Sequence, residues 1–140
     1  ARPLPPRQAV VADPAVAARI GPIANLMVVQ TAPMADAMRD ILAQVRSADH
    51  AFLERVEAAG SLAVDVDHPP TPYERPTLVI TARQDHICGY QDAWDLLPRY
   101  PRATFAVLDR AGHLINTEQP TLCHALMREW LDRVEEHDHA

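Results

Sequence analysis

Apolar positions in the first half of the chain recur at helical spacing. Met34, Met38, Ile41, Leu42 and Val45 fall at three- and four-residue steps, with Asp36, Arg39 and Asp40 on the other side, which predicts an amphipathic helix from Pro33. Ser47 reads as the N-cap of a second helix, with Ala51, Phe52, Leu53, Val56 and Ala59 as its apolar positions and Gly60 as its C-cap. Two helices joined this tightly form a helical hairpin. Further upstream, Asp13-Pro14 has the form of an N-cap followed by a first-turn proline, and Gly21-Pro22 would end that short helix.

The second half has a different period. His68 to Pro76 contains four prolines, which forbid regular structure and mark a boundary. Thr77-Leu78-Val79-Ile80-Thr81 is then a near-continuous β-branched run, the pattern of a parallel strand buried on both faces. A helix is expected from Tyr90 to Tyr100, broken at Pro101-Arg102, and a second strand from Ala103 to Leu108. Cys123, Leu126, Met127, Trp130, Leu131 and Val134 predict a closing amphipathic helix, and the polar tail from Glu135 is expected to fray. Strand–helix–strand–helix is the unit of an α/β fold. Two parallel strands do not make an independently stable sheet, so the sequence asks for more strands than it contains.

Composition narrows the function classes. A net charge of −6 offers no basic patch for nucleic acid. Every one of the 13 basic residues is Arg, consistent with a high-GC coding bias. No apolar run approaches the roughly 20 residues of a membrane span, and the N-terminus has neither an initiator Met nor an apolar signal core. It reads like a start inside a longer protein. Cys88 and Cys123 match no CxxC or zinc spacing, and two free thiols fit a reducing cytoplasm.

The chemistry-bearing residues sit after the two strands. Asp85 lies in the loop Thr81 to His86 and His113 in the loop Asp109 to His113. Functional groups of open α/β sheets lie just beyond the carboxyl ends of strands. Adjacent strands run about 5 Å apart, so the two loops can touch. A carboxylate beside an imidazole fixes its tautomer and stabilises the imidazolium formed in catalysis. Asp109 is a rival acid, but four residues before His113 it is better placed as a turn former.

Arg75 to Asp85 resembles the strand-and-acid segment of the α/β-hydrolase superfamily. Ala103 to Pro120, with Ala111-Gly112-His113 and Glu118-Gln119-Pro120, resembles its last strand, catalytic-His loop and final helix. The resemblance is close over 75–134 and looser over 1–70. It implies the C-terminal part of an α/β-hydrolase fold, with 1–70 as a helical cap segment and 71–140 as core. It implies Asp85 as orienting acid and His113 as general base of a Ser-His-Asp triad, in the order Ser, acid, His. No metal or organic cofactor is required, and the substrate is expected to be a small, apolar, ester-like molecule.

The nucleophile is the departure. No two of Gly21, Gly60, Gly89 and Gly112 frame a Gly-x-Ser-x-Gly elbow, and Ser47 and Ser61 both read as helix-end residues. The chain alone is therefore expected to be inactive and to need an N-terminal half or another chain to cover its sheet edges. The alternative is a non-catalytic remnant acting as a binding or structural module with a partner. The neighbouring residues have plainer readings. His86 is expected to face solvent, and Cys88 to be no nucleophile. Met27, Met34 and Met38 are expected in core packing. His137 and His139 have the wrong place for a metal site, and Gly112 permits a tight turn.

Overall fold

The computed structural model describes residues 11–60 and 70–139. Its elements run β1 (Val11–Ala12), α1 (Pro14–Ile20), a 3-10 segment (Gly21–Leu26), β2 (Val29–Gln30), α2 (Ala32–Arg46), α3 (His50–Ala59), β3 (Thr77–Ala82), α4 (Tyr90–Leu96), a 3-10 turn (Leu97–Arg99), β4 (Ala103–Leu108), α5 (Ile115–Glu118) and α6 (Pro120–Asp138). The fold is mixed α/β, with two separate two-stranded parallel sheets among the described residues, β1–β2 and β3–β4. No helix there is long and apolar enough to cross a membrane.

Local chemistry explains the helical half. Asp13 caps α1, its side chain accepting the Ala15 N–H at 2.8 Å, and Pro14 occupies the first turn. Gly21 ends α1 at φ +76°, a conformation that disfavours a side chain. The chain then coils back through the 3-10 segment, and α1 and α2 pack together. Val16, Ile20, Ala24, Met27, Ala35 and Met38 form the core between them. The methionines expected in packing are there, Met27 and Met38 fully buried and Met34 against the cluster.

Ser47 does not cap the second helix. It closes α2, its Oγ donating to the Gln44 carbonyl at 2.8 Å, while Asp49 caps α3 by accepting the Phe52 N–H at 2.9 Å. The reason is conformational. Ser47 has φ −91° and ψ 2°, whereas Asp49 has the extended ψ of 91° that an N-cap needs. Gly60 ends α3 as expected. The apolar stripe outruns its cover, because Ile41 and Val45 on α2 and Phe52, Leu53 and Val56 on α3 are exposed.

Beyond the proline-rich stretch, of which residues 68 and 69 lie outside the described residues, 70–76 is irregular. β3 and β4 pair in parallel from Thr77 opposite Ala103 to Ala82 opposite Leu108. Their residues are half-buried except Ala82, which is buried, so the two-faced burial read from the sequence is only partly realised. α4 and α6 lie against β3. Trp94 meets Phe105 edge-on with ring centroids 5.5 Å apart, and Trp130 Nε1 donates to the Pro76 carbonyl at 2.9 Å. α4 stops at Leu96 rather than Tyr100, because Pro98 has no N–H to continue it. The tail expected to fray is helical to Asp138, where Arg75 pairs with Asp138 at 3.2 Å.

Candidate active site

The in-register ends of β3 and β4 bring two loops to one edge of the sheet. Strand-like pairing continues beyond them. The Arg83 N–H donates to the Leu108 carbonyl at 2.9 Å and the Gln84 N–H to the Ala111 carbonyl at 3.2 Å. The Gln84 side chain adds a bond to the Asp109 carbonyl at 3.1 Å, and Asp109 itself is exposed in the turn. The loops are thereby tied together ahead of the functional groups.

Asp85 and His113 meet across this seam. His113 Nδ1 lies 3.1 Å from Asp85 Oδ2 and 3.3 Å from Oδ1. Asp85 is buried, and its Oδ1 accepts the N–H groups of Ile87 at 2.8 Å and Cys88 at 3.0 Å. Burial works to raise the carboxyl pKa. The Cys88 and Ile87 amides and the facing His113 outweigh it and hold the group below its ordinary value. Asp85 is thus kept as an oriented carboxylate, with His113 about one-third exposed at the side chain. With Nδ1 as the donor to Asp85, Nε2 is the nitrogen left to take a proton.

A second carboxylate positions the His113 loop, and the sequence reading assigned it no role. Glu118 is buried, and its Oε2 accepts the Gly112 N–H at 2.7 Å. Its Oε1 accepts the N–H groups of Val28 at 2.6 Å and Val29 at 2.8 Å. One side chain therefore joins the His113 loop to the buried stretch where the Gly21–Leu26 3-10 segment runs into β2. The His113 N–H donates to the Leu26 carbonyl at 2.8 Å, tightening the same joint. In the sequence Glu118 stands out only as part of the Glu118-Gln119-Pro120 segment of the resemblance, with nothing to mark it as an acceptor for backbone amides. Gly112 has another reason than the expected turn. Its φ is not positive, but an added Cβ would lie 2.5 Å from the Leu26 carbonyl oxygen.

The remaining candidates separate clearly. His86 is half-buried rather than solvent-facing, and its Nδ1 is shielded without a hydrogen-bond partner among the described residues. Cys123 is buried against the Ile115 carbonyl. His137 lies beside Arg102, its Nδ1 at 3.2 Å from the guanidinium. Cys88 is exposed, and a donor atom from each of Asp85, Cys88 and His113 lies within 4.8 Å of the others, the one described trio able to hold a metal ion. No protein-family model matches the chain, and no solved structure matches it.

Proposed function

We propose that Asp85 and His113 are the acid and general base of an α/β-hydrolase triad whose nucleophile lies outside this chain. The contact of His113 Nδ1 with the buried, amide-bound carboxylate of Asp85 carries this reading. His113 Nε2 takes the proton of a Ser hydroxyl as that oxygen attacks an ester-like carbon. Asp85 holds the ring in the Nδ1–H tautomer and stabilises the imidazolium. His113 then protonates the leaving group, and hydrolysis of the acyl intermediate by water reverses the same transfers. The residues of this chain supply the proton movement. The oxyanion donors come with the nucleophile. The helical segment before β3 acts as part of a cap over a small, apolar substrate.

The test has two arms. Imidazole nitrogen NMR on the 140-residue chain is expected to show His113 as the Nδ1–H tautomer, shifting toward Nε2–H in Asp85→Asn. A longer polypeptide that joins this chain to a Gly-x-Ser-x-Gly segment ahead of residue 1 is expected to hydrolyse p-nitrophenyl acetate. Asp85→Asn should lower its kcat by roughly 10⁴-fold. An Nε2–H tautomer in the parent, or turnover indifferent to His113→Ala, overturns the reading. Turnover by the 140-residue chain itself, lost in His113→Ala, would place the nucleophile back inside it.

A further inference from the structure

We infer that Asp85, Cys88 and His113 form a binding site for a thiophilic divalent cation, with Zn²⁺ the best chemical fit. One donor atom from each lies within 4.8 Å of the others, and His113 Nδ1 is already 3.1 Å from Asp85 Oδ2. A tetrahedral Zn²⁺ with bonds of 2.0–2.3 Å sets its ligands about 3.3–3.6 Å apart. The carboxylate and imidazole, at 3.1 Å, stand slightly closer than that and would part by a few tenths of an ångström around the ion. The thiol has at most about 1.5 Å to close from the 4.8 Å limit, a distance set by the same bond lengths.

The loop fixes two of the donors and leaves the third free to close. Asp85 Oδ1 binds the Ile87 and Cys88 amides, which points Oδ2 toward His113. The Cys88 amide bond holds that residue's backbone beside the carboxylate, while its exposed side chain can swing onto the ion. His113 is anchored by its own N–H to the Leu26 carbonyl and through Gly112 to Glu118. A nitrogen, a thiolate and a carboxylate are a donor set that zinc accepts, and three protein ligands leave a fourth position for water. Binding releases the Cys88 proton to solvent and moves the ring proton of a neutral His113 from Nδ1 to Nε2, which frees Nδ1 for the ion. The ion replaces the hydrogen bond between the two dyad residues. Where the hydrolase reading holds, zinc therefore silences the dyad; binding itself does not rest on that reading.

Co²⁺ is the probe, titrated into the intact 140-residue chain after treatment with a chelator and a thiol reductant. One equivalent is expected to give a thiolate-to-cobalt charge-transfer band and intense tetrahedral d–d bands, both bleached by Zn²⁺. Cys88→Ser should abolish the charge-transfer band. Asp85→Asn and His113→Ala should each weaken Co²⁺ binding by at least about tenfold. Cys123→Ser and the double variant His137→Ala/His139→Ala should leave the spectrum unchanged. No bands at one equivalent, a band that survives Cys88→Ser, or a half-equivalent end point from two chains sharing an ion overturns the site. A cobalt spectrum together with the wrong His113 tautomer would keep the metal site and remove the hydrolase reading.

Discussion

At the scale of single residues, the environment decides what each side chain can do. Asp85 is buried, yet two amides and an imidazole keep it ionised. Cys123 has only its own backbone amide to offset burial, which pushes its thiol up from the ordinary value. Cys88 is exposed on the loop beside the dyad. Alkylation depends on access and on the thiolate fraction. Iodoacetamide in mildly alkaline buffer is therefore expected to modify Cys88 at least about tenfold faster than Cys123. Cys123 should become reactive only when denaturant opens α6. Peptide mass mapping over time reads both rates, and equal rates in native buffer would contradict the burial of Cys123. The pairing of Asp85 with His113 was legible in the sequence, because each follows a strand and the strands are neighbours. His86 was not, since the side to which a loop side chain turns depends on how that loop wraps its carboxylate.

At the scale of elements, short hydrogen-bonded joints do what long helices do elsewhere. α5 has four residues and little helical stability of its own. Glu118 at its end holds three amide donors, two from the distant Val28–Val29 stretch and one from the His113 loop just before it. Glu118→Ala leaves all three without their acceptor and is expected to cost roughly 2–4 kcal/mol of unfolding free energy. Gly112→Ala, pressed against the Leu26 carbonyl, should cost about 1–3 kcal/mol. Urea denaturation measures both. Hydrogen exchange should show the Val28, Val29 and Gly112 amides losing protection together in Glu118→Ala. A change under about 1 kcal/mol, with those amides still protected, would mean that the joint is held by packing alone. Such joints escape pattern reading because period and propensity describe neighbours in sequence, and Val28 lies 90 residues from Glu118. The helices were legible through Asp13, Pro14 and Gly60, which act locally. Ser47 misled because Asp49, two residues on, has the stronger claim to the cap and the backbone that suits it.

At the scale of the whole molecule, sequence pattern and burial disagree in an instructive place. Thr77 to Thr81 and Ala103 to Leu108 have the composition of strands covered on both faces, yet each is only half-buried. Among the described residues each strand has a single hydrogen-bonded neighbour, so an outer row of backbone groups on both β3 and β4 has no strand partner there. Trp94, Leu122, Met127 and Leu131 are exposed on the helices that accompany the sheet. Unpaired edges flanked by apolar surface favour pairing with another chain. The 15.5 kDa chain in isolation is therefore expected to show a light-scattering mass above the monomer that rises with concentration. The β3 and β4 amides facing the open edges should exchange faster than those in the shared ladder. A covering segment that supplies a parallel strand should lower the mass to that of a single complex and slow exchange at the edge it occupies. A concentration-independent monomer that unfolds in one cooperative step, with both strand edges already protected, would show that this sheet needs no further strand. It would also weaken the proposal that a nucleophile is supplied from outside this chain.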